Sequence, residues 1–430
     1  PRTAYMNARI LDPAAGLDIT GSLLVESGII QDMGTNIFEA GISPDIHQVD
    51  CVGLCLAPGI LDMYAELPGS AGSRAEPLAS SCQAAVAGGI TTFVTAPDGT
   101  PVVDTPNVAE AVQRRGHEIG LANVLTHGAL TMGAKGEALT EIGLLYNAGC
   151  VGFSNGTQPV QNTALLRQAL VYAQIVDTTI ISTPLEASLI AGGQIHESAL
   201  ATRLGLRGIP VLAETLAILR DIALAEATGA RIHIGAVSTA AGVNLIRAAK
   251  AKGIDVTAHT APPYFSASVS AADGYRTFAK LLPPLREEGD VTAILAGLSD
   301  GTIDAIASHH SPHAEDQKRV PFAQASFGAA GFETMLPLAL DAVAAGRLPM
   351  LRALEAMTSK PAEILRLRVG RLVRRQAADF ILFDPKAGWV IDSQHFVGAC
   401  RNTPFQGRNV KGQLVMTIKN GRTVHTLNAL

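Results

Sequence analysis

The sequence predicts an α/β protein: a closed (β/α)8 barrel with a small β-domain assembled from both ends of the chain. Three observations carry this. Glycines punctuate the middle of the chain, each followed at once by a short apolar segment: Gly89 before ITTFVTAP, Gly149 before CVGFSN, Gly229 before ARIHIGAVS, Gly253 before IDVTAH and Gly301 before TIDAIASHH. Glycine suits the left-handed position just past a helix end, so each marks a helix stop and a strand start. The intervening segments show helical apolar spacing, and apolar strands alternating with such helices form a parallel sheet covered by helices. The two ends instead carry period-two alternation and turn pairs, the mark of strands and hairpins.

Taken in order, residues 1–56 open with alternating stretches such as SLLVESGIIQDMG. The barrel strands are placed at Gly59–Tyr64, Thr91–Thr95, Asn123–Thr126, Val151–Ser154, Thr179–Thr183, Arg231–Ala236, Asp255–Ala258 and Ala305–Ser308. Eight strands over this span fit a closed barrel. An open doubly wound sheet fits less well, because no glycine-rich phosphate loop follows the first strand. Helical spacing appears in Leu78, Cys82, Ala85 and Val86; in Leu212, Leu216, Leu219 and Ala223; and in Val243, Ile246 and Ala249. Ser238 or Thr239 can cap the last of these, with Lys250 and Lys252 at its negative end. Residues 375–430 return to strands, with ADFILFDP, GQLVMTIKNGRTVH and the turn pair Asn420-Gly421. The division is therefore a barrel over 57–374 and a composite β-domain from 1–56 plus 375–430.

The 430 residues are 47% hydrophobic and 17% charged, with a net charge of −5. That composition builds a packed core, and the scattered basic residues form no run that would bind nucleic acid or anionic lipid. The five cysteines lack the paired spacing of a zinc knuckle and are expected to be buried thiols. No apolar run reaches the ~18 residues of a membrane span, and no leader opens the chain, so a cytoplasmic location is expected.

A barrel of this kind sets its reactive groups at the C-terminal ends of its strands. The segments LAPGILDMYAEL, AAVAGGITTFVTAPDGTPVVDTP, GFSNGTQPV, GARIHIGAVSTA, LLPPLREEGD, GTIDAIASHHSPH, VPFAQASFGAAGFET, ADFILFDP and RNTPFQG follow one another in order along nearly the whole chain. In them the chain resembles a bacterial-type dihydroorotase of the amidohydrolase superfamily. The resemblance implies a metal-dependent hydrolase barrel, a flanking β-sandwich-like domain, and hydrolytic opening and closure of the dihydroorotate ring.

The same resemblance implies particular site residues, and this chain departs from them. Where the family closes its first strand with His-x-His, both metal ligands, this sequence has Tyr64 and Glu66. The stretch LPGSAG that follows lacks the family's carboxylate-binding arginine. The bridging aspartate after the fourth strand becomes Asn155, or Gly156 on a one-residue slip, the fifth-strand histidine Thr183, the sixth-strand histidine Ala236, and the aspartate base after the eighth strand His309. Two substrate-binding asparagines are Asp98 and Leu282. Zinc needs deprotonated lone-pair donors, and alanine has none. Metal binding brings the pKa of water from about 15.7 to about 7, so losing it is a large deficit.

SHHSPH at 308–313 then admits three readings, one of them a remodelled cleft that binds a small molecule without turning it over. Glu66 and His309 supply two ligands of a rewired zinc site, with Tyr64 a third only if ionised. In another, His310 and His313 brace the loop over the barrel mouth, and His309 merely replaces an acid; this is the reading the residues favour. His233 reads as a core histidine, and neither it nor His259 shows a ligand spacing. The sequence expectation is therefore a non-catalytic dihydroorotase homologue, without a cofactor, that self-associates as a dimer and, by the resemblance, assembles with aspartate carbamoyltransferase. The alternative is an active, divergent dihydroorotase or other cyclic amidase with zinc in a rewired site.

Overall fold

The computed structural model describes residues 2–67 and 76–427. Its barrel strands run Ile60–Ala65, Ile90–Thr95, Asn123–Thr126, Phe153–Ser154, Ile180–Ser182, Ile232–Ile234, Val256–Thr260 and Ala305–Ile306. Each pairs in parallel with the next, the third through its continuation Gly128–Ala129. The eighth returns to the first: the His309 amide donates to the Tyr64 carbonyl, the Glu66 amide to the His310 carbonyl, and Ala65 bridges His310. Fully buried Asp62 fastens this seam, accepting from the Ser308 amide at 2.9 Å and from the Ser308 hydroxyl. Burial pushes its carboxyl up to about 6. The barrel thus closes, and the open sheet is excluded.

Several strands are shorter than their apolar runs. Val151, Thr179, Arg231 and Ala236 lie outside strands, because the pairing ends where chains turn into the loops at either rim. Barrel helices sit where the glycines predict. Gly229 and Gly301 hold φ values of 67° and 82° just past the helices Leu212–Thr228 and Glu288–Asp300. Thr239 caps Ala240–Ala251, accepting from the Gly242 amide. Leu78, Cys82, Ala85 and Val86 are buried, as are Val243, Ile246 and Ala249.

The helix Leu212–Thr228 corrects one expectation. Its leucines at 212, 216 and 219 are 45–47% exposed, while Ala213, Ala217, Ile218, Leu224 and Ala225 face the barrel. Buried Glu214 explains this phase: its carboxylate takes the amides and hydroxyls of Ser238 and Thr239 at the next helix start.

One sheet joins the two chain ends in the order Arg422–Thr426, Asn409–Lys419, Phe380–Val390, Cys55–Pro58, Arg2–Asp12, Leu17–Glu26 and Ile29–Gly34. Asn420 and Gly421 both hold positive φ, 49° and 70°, as a two-residue hairpin turn requires. Tyr5, Ile10, Leu23, Leu56, Phe380 and Ile418 form this sheet's own core. A further pair, Ile195–His196 with Gly208–Ile209, lies in the excursion after the fifth barrel strand and was not legible in the sequence. All five cysteines are buried, and burial pushes Cys51 and Cys55 up to about 11, far from thiolate ligands. No helix among the described residues is long and apolar enough to cross a membrane.

Candidate active site

At the C-terminal rim the strand ends enclose a cleft of about 360 Å³, lined by Tyr64, Glu66, Thr183, Ala236, His259 and His309 among others. This lies within the usual range for a small-molecule site. Leu282 and Phe327 complete its apolar side. Two non-glycine residues at the rim, Ala236 and His309, hold left-handed φ values of 47° and 48°. Such backbone costs roughly 1–2 kcal/mol and recurs at sites where a side chain must be aimed.

The substituted positions therefore come together, but not all face the cleft. Asn155 is buried behind it, its side-chain oxygen accepting from the Thr131 amide and hydroxyl at 3.0 Å. Thr183 spends its hydroxyl on the Gly156 carbonyl. Asp98 is held from behind by the amide and hydroxyl of Thr157 at 2.8 and 2.6 Å, and burial raises its carboxyl. Tyr64 stacks on His309 with ring centroids 4.5 Å apart. Its phenol, desolvated by burial, is held well above its ordinary range and stays protonated. The LPGSAG stretch, from Pro68 onward, lies outside the described residues.

Sequence reasoning missed the main polar feature. His233, His259 and His309 sit on the inward faces at the ends of three neighbouring strands and form one hydrogen-bonded ladder. Thr257 Oγ1 lies 2.7 Å from His233 Nδ1, His233 Nε2 lies 2.7 Å from His259 Nδ1, and His259 Nε2 lies 2.6 Å from His309 Nε2. His309 Nδ1 then faces Glu66 Oε1 across 3.7 Å. Burial holds His233 down to about 3 and His259 well below the ordinary imidazole value, so both are neutral. His233 is thus not an isolated core histidine. The available signal was that 233, 257 and 259 share an inward parity, but their cross-strand register is set only by barrel closure.

His310 and His313 do brace the mouth. His310 Nδ1 accepts from the Gly331 amide at 2.9 Å and its ring stacks on Phe332 at 3.9 Å. His313 donates its amide to Asn402 and meets the Phe327 carbonyl through Nε2 at 2.8 Å.

This donor set does not fit the family's metal pair. No group of three His, Cys, Asp or Glu side chains among the described residues converges as a metal ion requires. Glu66 and His309 do approach each other, but the facing nitrogens of the ladder are committed to one another, Tyr64 is un-ionised and Ala236 has no donor.

The fold and the cleft at its C-terminal rim define an amidohydrolase-type barrel. Solved structures agree: L-hydantoinase (dihydropyrimidinase) from Arthrobacter aurescens superposes with a TM-score of 0.85 at 23% identity, covering 99% of this chain and 97% of that one. Dihydropyrimidinase from Brevibacillus agri NCHU1002 gives 0.82 at 19%, covering 98% and 95%. At such identity the likeness is one of fold. In sequence, the family described as Dihydro-orotase-like matches residues 53–241. The dihydroorotase of Pelobacter propionicus is 44% identical over 419 residues, 97% of this chain and 98% of the relative. That of Anaplasma phagocytophilum is 38% identical over 98% and 95%. The chain belongs to the dihydroorotase-like family.

These likenesses correct the expectation of a non-catalytic assembly partner: along nearly its whole length the chain matches proteins that bear an enzyme's name. The part of that expectation concerning aspartate carbamoyltransferase and a dimer rests on the resemblance alone. The expectation of no cofactor likewise finds no support in them; zinc is what the family resemblance implies.

Proposed function

We propose that the chain acts as a divergent dihydroorotase, a cyclic amidase that opens and closes a ring at its C–N bond. The observation that carries this reading is the 38–44% identity to dihydroorotases over nearly the full length. In this proposal residues 57–374 carry the chemistry and the end-strand sheet supports them. Because the residues do not fit the family's metal pair, no step is routed through one.

The cleft offers a carboxylate and an imidazole N–H facing each other with too wide a gap to bond directly. A water polarised by Glu66 gives up its proton to that carboxylate as its oxygen bonds to the ring carbonyl carbon. His309 Nδ1–H is delivered to the ring nitrogen as the C–N bond breaks, and the proton on Glu66 returns to His309. Protons and electrons balance: one water is consumed, leaving a carboxylic acid and an N–H. A positioned acid–base pair supplies about 10²–10⁴ in rate, so turnover well below that of a metal hydrolase is expected.

The test is an assay of purified full-length protein on dihydroorotate, hydantoin and dihydropyrimidine rings, with and without added zinc. Turnover above blank on one of these, lost in Glu66→Gln and His309→Ala, supports the reading. No turnover on any ring, with or without zinc, overturns it.

A further inference from the structure

We propose that His259, His233 and Thr257 are positioning residues that dictate which nitrogen of His309 carries a proton. This rests on the activity above only for what that proton is used for. Two imidazole nitrogens 2.6–2.7 Å apart require one N–H and one lone pair between them. His233 and His259 are neutral, so each owns a single N–H, and setting one rung sets the next.

Only two settings satisfy every rung. In the first, the Thr257 hydroxyl donates to His233 Nδ1, His233 Nε2–H donates to His259 Nδ1, and His259 Nε2–H donates to His309 Nε2. The proton of neutral His309 must then sit on Nδ1, facing Glu66 and the cleft. In the second, every N–H points the other way, His233 Nδ1–H ends on the Thr257 oxygen, and His309 Nε2 becomes the donor. A neutral His309 would then turn a bare Nδ1 lone pair toward the Glu66 carboxylate, two acceptors opposed. The first setting is therefore that of the neutral ladder, and it is the donor on His259 Nε2 that leaves Nδ1–H of His309 presented to the cleft. The Tyr64 ring stacked on His309 fixes the plane in which it is presented. Orientation of an acid–base group by a partner on its far nitrogen is a recurring catalytic device.

The experiment is imidazole ¹⁵N spectroscopy of the full chain labelled at histidine, beside kinetics on whichever ring is turned over. In the wild type, the His309 resonances should report a protonated Nδ1. His259→Leu should move them to a mixture of tautomers and lower kcat by roughly tenfold or more with KM little changed, as loss of oriented proton transfer does. His259→Gln, which keeps an amide donor toward His309, should restore part of both. Thr257→Val, nearly equal in size, should shift the His233 and His259 resonances from the far end of the ladder even where the leucine variant folds poorly. Unchanged His309 resonances in folded His259→Leu, or unchanged His233 resonances in Thr257→Val, overturn the proposal. Tautomer shifts without turnover on any ring leave the ladder standing and remove the proposed activity; turnover with unmoved resonances does the reverse.

Discussion

Gly156, at the end of the fourth barrel strand, shows how tightly single atoms are placed around the cleft. It holds φ +64°, and an added Cβ would lie 1.9 Å from Asp98 Oδ1. Gly156→Ala must therefore push Asp98 off the Thr157 amide and hydroxyl while straining its own backbone. A loss of about 2–4 kcal/mol is expected from the two broken charge-assisted bonds and the left-handed alanine, measured by urea unfolding. Glu66 and His309 behave differently, being partly open to the cleft at 21% and 15% side-chain exposure. Their substitution is expected to cost function far more than stability, which is why they serve in the activity test.

The element above the cleft is the loop from Ser311 to Ala330, and two lysines hold it through backbone carbonyls. Lys318 is fully buried and donates to the carbonyls of Lys280, Ser326 and Gly328 at 3.3, 2.7 and 3.0 Å. Lys280 donates to the Phe322 carbonyl at 2.8 Å and lies 4.7 Å over the Phe327 ring. Burial pulls Lys318 down to about 7, yet three carbonyls converge on it. Lys318→Met keeps the volume and removes the donor, leaving buried acceptors unmet. It should destabilise the protein by about 2–4 kcal/mol and make this loop the first site of limited proteolysis. Cleavage first at some other loop, with unchanged unfolding, would refute the staple. In the helix Leu212–Thr228 a regular apolar spacing names a helix but not the face it buries, because Glu214 and Asp221 take the inward side with their own partners.

For the molecule as a whole, buried neutral histidines tie stability to pH. His127 is fully buried, donates through Nε2 to the Met63 carbonyl at 2.8 Å, and is held down to about 4. Its folded value lies below its unfolded one near 6.5, so the unfolded chain binds the proton first on acidification. The stability due to its neutral form is complete above about pH 6.5 and is lost as pH falls toward 4. His127→Gln keeps a donor for Met63 and cannot titrate. Relative to wild type, its unfolding free energy should therefore rise as pH falls from 6.5 to 4, with a linkage slope smaller by about one proton. Parallel curves for the two proteins would show that this histidine is already protonated or exposed.

Much of the architecture was legible in the residues themselves. Glycine past each helix, continuous apolar strands and the Asn420-Gly421 turn are local instructions, satisfied within a few residues, and they specify a barrel and a terminal β-sheet. So did the identity of the substituted rim positions, because a strand end is a place the chain pattern marks. What lay beyond the sequence was the company those positions keep. Asn155 turns to Thr131, Thr183 to the Gly156 carbonyl, and His309 joins His259 and His233 from strands 50 and 76 residues away. Residues that distant meet only once the sheet closes and its register is set, and hydrogen bonds of under 3 Å depend on that register to a fraction of a residue's rise. The sequence by itself determined the fold and which side chains stand at the rim; the tertiary structure decided which of them touch, because contact across a barrel is a property of closure and not of any one strand.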